Sequence, residues 1–284
     1  MAKVVCECDK LTKDRKKVMY STQDIEELLC REEYATVPAS ARYNLTKEEH
    51  EKVNVYESVT SFGADIADLF EDLMEDLGRI PTQAEFIKKG VFLTKEWWAA
   101  QTLRRNYQIY GVSWDKTIEQ ACKDRLGRSY LSIVNELHTT YLLKELFPAA
   151  KIITDDLLDL VMGVDIVMEY KSKRLYFHVY KNSYWGKKAF ISKEKRGGMK
   201  NQEGTYIKYR RNFRGDISLM YDTFNSDTTR IVNGIPLFTE DYIIWVVEKA
   251  LRSGVKGEPI TKSASKLHKL SSWLLNNFGV STNF

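Results

Sequence analysis

The sequence predicts a mixed α/β core preceded by a small all-helical, helix-turn-helix-like domain, and three observations predict it. Short helical periods punctuated by glycine occupy residues 61 to 126; one long amphipathic period stopped by Pro148 follows; strand candidates and a well-capped helix then run to about residue 254. The organisation is read as a partly helical lead-in over 1–60, the helical domain over 61–126, the core over 127–258, and a C-terminal helix over 259–284 that packs on the core.

The helical domain begins with Phe62, Ile66, Leu69, Phe70, Leu73 and Leu77 at helical spacing, acids covering much of the remaining surface, and Gly78 as the stop. Thr82 and Glu85 stand at capping-box spacing, which predicts a second helix that ends at Gly90. A third is expected from an N-cap at Thr94 to Gly111, with Trp97, Trp98 and Leu103 inside and Arg104 and Arg105 exposed. The stretch 111–125 supplies a fourth, with Trp114, Ile118 and Ala121 on one face. In the core, a helix from about Ser129 to Phe147 carries Tyr130, Val134, Leu137 and Tyr141 on one stripe. Residues 161–168 and 174–181 form a hairpin; 187–192, 204–211, 216–223 and 231–238 are further strand candidates. Thr239 caps a helix with acids in its first turn, Lys249 and Arg252 in its last, and Gly254 after it. Leu267, Leu270, Trp273, Leu274 and Phe278 mark the tail helix.

At 43% apolar and 29% charged residues, with no apolar run near the length of a membrane span, the composition argues against a membrane protein and a secretory signal, and a cytoplasmic location is expected. Four scattered cysteines do not make a disulfide framework. Cys6, Cys8, Cys30 and His50 match no common zinc spacing, and ordinary thiols are expected. The charge is more telling. Between Lys171 and Arg214 fourteen Lys or Arg face two acids, Glu194 and Glu203, in a chain whose net charge is only +4. Tyrosine, tryptophan and phenylalanine interleave with these cations, the pattern of a surface that follows a phosphate backbone. Lys187, Lys188, Lys193, Lys195, Arg196, Arg210, Arg211 and Arg214, with Arg104 and Arg105 on the helical domain, are the candidate nucleic-acid contacts. The alternative is a solvated sheet face edged with lysine.

Within GVDIVMEYKSKRLYFHVYK, residues 163–181, Asp165 lies inside one apolar strand and Lys181 closes the other. A buried charge is costly unless paired or used. Alternation puts Gly163, Asp165 and Val167 on one face of the first strand and Phe177, Val179 and Lys181 on one face of the second, so both charges are expected to look the same way across the hairpin. An Asp and a Lys so placed, joined by an acidic residue arriving from the preceding helix, suit a divalent cation bound to a phosphodiester. A cross-strand salt bridge is the rival account of the pair, and a structural imidazole that of His178.

Two resemblances bear on these residues. The run Leu77-Gly78-Arg79-Ile80-Pro81-Thr82, with Glu85, Phe86 and Gly90, followed by Tyr110-Gly111-Val112-Ser113-Trp114, resembles the small repeat that accompanies many phage homing endonucleases, over about residues 72–122. That resemblance implies DNA binding and, by itself, no catalysis. Asn135-Glu136-Leu137, Gly163-Val164-Asp165-Ile166 and Phe177-His178-Val179-Tyr180-Lys181 resemble the PD-(D/E)XK nuclease superfamily over about residues 127–255. This implies a restriction-endonuclease-like mixed sheet flanked by helices in the order αβββαβ, Mg²⁺ as cofactor with Mn²⁺ as substitute, and double-stranded DNA as substrate. It also implies Asp165 and Glu136 as metal ligands and Lys181 as the catalytic lysine. The family places Glu, Asp or Gln two residues before that lysine; here the position is Val179, and His178, one place off, is a candidate catalytic residue that takes the acid's place if the strand is bulged. The expected function is a metal-dependent DNA endonuclease, of phage or mobile-element type, acting as a homodimer if it cuts both strands. The rivals are a catalytically inactive nuclease-fold DNA-binding module and an RNA-binding or RNA-processing protein.

Overall fold

The structure, a computed structural model, describes residues 20–36, 46–49, 51, 66–103, 113–154, 163–196, 198–200, 206–208 and 213–252. The chain divides into two compact units, Met1–Ile133 and Val134–Phe284.

The first unit contains α1 (Thr22–Leu29), a single 3₁₀ turn (Glu32–Tyr34), α2 (Ile66–Leu77), α3 (Gln83–Leu103) and the first part of α4 (Lys116–Leu146). Gly78 ends α2 as expected, in the left-handed region at φ 63°. The capping box also forms: the Glu85 amide donates to Thr82 Oγ1 at 3.2 Å, and the Thr82 amide donates to Glu85 Oε2 at 2.8 Å. Between these two helices the backbone is pinned by tyrosines. Tyr130 donates to the Pro81 carbonyl at 2.9 Å and Tyr34 to the Ile80 carbonyl at 2.5 Å, so the lead-in supplies part of this unit's interior. Phe70, Phe86 and Tyr130 pack ring to ring with centroids about 6 Å apart.

Two expected breaks are absent. Gly90 does not end a helix, and α3 runs through it. Thr94 is no N-cap, since its hydroxyl donates to the Gly90 carbonyl at 2.7 Å inside the helix. Gly90 is there for proximity: a Cβ on it would lie 2.6 and 2.8 Å from the Leu126 methyls. The two helices expected on either side of Gly127 are likewise one, with Asp115 Oδ1 accepting from the Ile118 amide at 2.8 Å at its start.

Arg79 grips Glu85 with two parallel hydrogen bonds, of 2.7 and 3.0 Å. That contact first, then the Thr82 amide and hydroxyl, hold the Glu85 carboxyl down at about 2 against burial, which acts the other way. Because the folded pKa lies below the unfolded one, the contribution is present above the ordinary carboxylate range and is lost as pH falls toward about 2. Glu85→Gln should therefore lower the melting temperature at neutral pH and converge with the parent near pH 2 in a pH series of thermal unfolding. The side chains are about a third exposed, so the neutral-pH difference is small.

The second unit is built on a four-stranded sheet in the order β1-β2-β3-β6. Here β1 is Lys151–Ile153, β2 Ile166–Tyr170, β3 Lys173–Lys181 and β6 Ile217–Tyr221; the first three are antiparallel, and β6 is parallel to β3. The crossover from β3 to β6 contains α5 (Tyr184–Arg196) and the pair β4 (Gly198–Lys200) and β5 (Tyr206–Lys208). A hairpin of β7 (Thr229–Val232) and β8 (Ile235–Phe238) leads into α6 (Glu240–Arg252). One face of the sheet, with Ile166, Met168, Leu175, Phe177, Leu219 and Tyr221, forms the core with Leu142 and Leu143 of α4 and Ile243, Val246 and Val247 of α6.

Three expectations change in this unit. Residues 187–192 are helical, not a strand. The strand expected over 231–238 is the β7–β8 hairpin, turning at Asn233 and Gly234 with φ 48° and 83°. On α4, Leu137 is only half-buried, while Asn135, His138 and Thr139 are buried among the apolar residues. Asn135 is satisfied there by donating to the Pro236 carbonyl at 2.5 Å. The tail helix expected after residue 258 lies outside the described residues.

Candidate nucleic-acid interface

Register decides which side chains meet. The turn between β2 and β3 holds two residues, Lys171 and Ser172, both left-handed at φ 48° and 59°. Tyr170 therefore stands opposite Lys173, and Ile166 opposite Phe177. One step further, Asp165 falls beside His178. The expectation that Asp165 and Lys181 look the same way is thus wrong: Lys181 has the parity of Phe177 and Val179 on the core face, and Asp165 that of Val167 on the other. Lys181, the last residue of β3, is exposed.

Asp165 sits where β2 leaves the ladder. Its amide donates to the Phe177 carbonyl at 3.1 Å, and its own Oδ2 accepts from the Val179 amide at 2.7 Å, doing the work of a backbone carbonyl. Its other oxygen accepts from Lys193 Nζ of α5 at 3.3 Å, with the two side chains only 16% and 21% exposed. The lysine beside Asp165 is therefore Lys193, a residue expected among the phosphate contacts.

On the same face His178 Nε2 and Asp216 Oδ2 are 2.8 Å apart, 2% and 4% exposed. The imidazole lies between Phe190 of α5 and Phe213, with ring centroids at 4.9 and 4.5 Å, and among the described residues Nδ1 has no hydrogen-bond partner. Nothing local in the sequence singles out Asp216; only the parallel register of β6 brings it there. Further along, Glu169 and Arg174 form a cross-strand ion pair.

Glu136 is half-buried on α4, and its carbonyl accepts from the Thr140 hydroxyl at 3.0 Å. Among the described residues, no three His, Cys, Asp or Glu side chains gather as a group able to hold a metal ion. Mg²⁺ asks for several oxygen ligands in near-octahedral array. Around Asp165 the structure offers an ammonium and an amide instead, and His178 is committed to Asp216. These residues do not fit the cofactor that the nuclease resemblance implies.

The outward side of α5 has a different character. The helix starts because Ser183 caps it, with Oγ accepting from the Gly186 amide at 3.0 Å. Tyr184, Lys187, Lys188, Ile191 and Lys195 are all exposed and fall at i, i+3, i+4, i+7 and i+11, a single stripe of the helix. Lys188 Nζ lies 5.8 Å from the centre of the Tyr184 ring. The one acid of the helix, Glu194, accepts from the Phe213 amide at 3.3 Å. Arg214 is exposed nearby in sequence; the Arg196 side chain and Arg104, Arg105, Arg210 and Arg211 lie outside the described residues. No helix among the described residues is long and apolar enough to cross a membrane. Compared with protein-family models, curated proteins and solved structures, the chain matches none of them.

Proposed function

We propose that this chain is a DNA-binding protein built on a restriction-endonuclease-like core, holding phosphates on the exposed face of α5. The stripe of Tyr184, Lys187, Lys188, Ile191 and Lys195 carries the proposal: three ammonium groups and a phenol at helical spacing, with the helix's acid turned to a backbone amide. The order helix, three antiparallel strands, helix, parallel strand supports the fold assignment. Such binding is electrostatic and largely indifferent to sequence, since lysines on a helix face offer charge and few base-reading groups.

A second reading, hydrolysis, is favoured by one observation, the position of Asp165 beside a lysine at the start of the central hairpin. One experiment separates the two. Purified protein is titrated with duplex DNA over a range of salt, and incubated with plasmid in Mg²⁺ or in EDTA. Binding whose log–log salt slope is about −5, as for roughly six neutralised phosphates, with intact plasmid in both buffers, is the expected result. A slope near zero removes the nucleic-acid reading. Cleavage in Mg²⁺ that disappears in Asp165→Asn replaces the binding reading with hydrolysis.

A further inference from the structure

The carboxyl ends of β3 and β6 carry a feature that phosphate binding does not use. Lys181 and Tyr221 are register partners on adjacent parallel strands, and the Asn182 amide still donates to the Tyr221 carbonyl at 2.8 Å as the two chains leave the sheet together. Three residues beyond each partner stands an aromatic side chain in solvent: Tyr184 is 70% exposed and Phe224 is 97% exposed. A phenylalanine bared to that degree gains nothing from folding.

The loop that carries Phe224 is nevertheless tightly held. Asp222 Oδ1 accepts from the Phe224 amide at 3.0 Å and Oδ2 from Asn182 Nδ2 at 2.8 Å. The Asp222 amide donates to Thr229 Oγ1 at 3.0 Å, and the Asn225 carbonyl accepts from the Thr229 amide, also at 3.0 Å. Thr239 then ties the loop to the start of α6, its hydroxyl donating to the Asp227 carbonyl at 2.9 Å. The backbone is fixed, and it projects an apolar ring outward. The loop holds two acids, Asp222, with both oxygens engaged in these bonds, and exposed Asp227; Lys181 at the end of β3 and Lys187 and Lys188 of α5 are all exposed.

We infer that this end of the sheet is a base-stacking site for an unpaired nucleotide, so that the DNA preferred by the second unit is single-stranded or carries an unstacked base. The inference rests on the nucleic-acid reading and deepens it. Phe224 supplies a ring face that any base can cover, Tyr184 a second ring beside the lysines of α5, and Lys181, Lys187 and Lys188 the charge for the adjoining phosphates. A base paired inside a duplex cannot offer its face to a side chain; an unpaired one can.

The test compares the whole protein with Phe224→Ala and Phe224→Trp, by fluorescence anisotropy of a labelled single-stranded oligonucleotide and of the same sequence as a blunt duplex. Phe224→Ala should weaken single-strand binding about tenfold, the loss expected for one base stack, and leave duplex affinity and both salt slopes unchanged. Phe224→Trp should keep single-strand affinity. Because the ring is 97% exposed, all three proteins should melt alike. If the parent binds DNA with the expected salt slope and Phe224→Ala matches it on both probes, the stacking site is refuted while phosphate binding stands; a protein-docking phenylalanine gives this result. If the parent binds neither probe, the nucleic-acid reading fails and takes this inference with it.

Discussion

Gly186→Ala should destabilise the second unit by about 2 kcal/mol, lowering its melting temperature by roughly 4–8 °C, although alanine is the better helix former. The two effects oppose each other and their sizes decide. Replacing a helical glycine by alanine gains about 1 kcal/mol. Here the new Cβ would sit 2.2 Å from the Lys181 carbonyl oxygen, far inside contact distance, and the obstacle is backbone at the end of β3. Relieving such a clash costs about 3 kcal/mol or more. Two other glycines calibrate the result. At Gly127 the Cβ would meet only the flexible ends of Gln83 and Ile87, at 3.4 and 3.6 Å, so Gly127→Ala should be neutral or stabilising. At Gly90 the obstacle is the Leu126 methyls at 2.6 and 2.8 Å, which can shift in part, so Gly90→Ala should fall between the two. Thermal and urea unfolding give the ranking. A Gly186→Ala protein as stable as the parent would mean that α5 does not start tight against the end of β3.

Asp216→Ala should cost about 3 kcal/mol. The partner it abandons, His178, is 2% exposed, with phenylalanine rings on two sides and Nδ1 already without a hydrogen bond among the described residues. Removing Asp216 leaves the imidazole with buried polar nitrogens and no carboxylate to meet them. Removing both polar partners is a different matter, since a phenyl ring at position 178 would extend the existing contact with Phe190 and Phe213. His178→Phe combined with Asp216→Ala should therefore recover at least half of the loss, giving a clear coupling energy in a double-mutant cycle. If the two substitutions simply add, the pair contributes little to the fold.

What the sequence disclosed follows from how local the cause is. Gly78 as a helix stop, the Thr82–Glu85 capping box and the acids after Thr239 are signals between near neighbours, and all three stand as read. Gly90 and Gly127 resemble stops equally well from sequence. Only the neighbour across the interface, Leu126, shows that Gly90 is a site of close approach, while at Gly127 the helix simply continues through a glycine with room for a Cβ. Residues 187–192 carry aromatic and basic side chains in a pattern that suits an edge strand, and the deciding residue was Ser183, four positions earlier. Asn233-Gly234 is itself a strong local hairpin signal, and it splits the stretch expected as one strand over 231–238 into β7 and β8. The candidate site was harder for a single reason. Faces across a hairpin depend on whether the turn holds an odd or even number of residues, and Lys171-Ser172 contains no glycine to mark it. With the opposite parity Lys181 would occupy the place beside Asp165 that belongs to Lys193, and Asp216, distant in sequence, carries no local signal.

The parallel pairing of β6 with β3 also carries a kinetic consequence. The β2–β3 hairpin closes across two residues, whereas Phe177 meets its partner Ile217 forty residues later. Long closures draw on chain entropy before contacts return it, so the hairpin assembles early and β6 docks late. In the interval β3 is an open edge bearing Leu175, Phe177 and Val179, and His178 has yet to meet Asp216. Unpaired apolar edges of this kind join to one another between molecules. Late docking of β6 thus closes the ladder and buries the imidazole in one step, and variants that delay it should be lost to aggregation during refolding well before their native stability is exhausted.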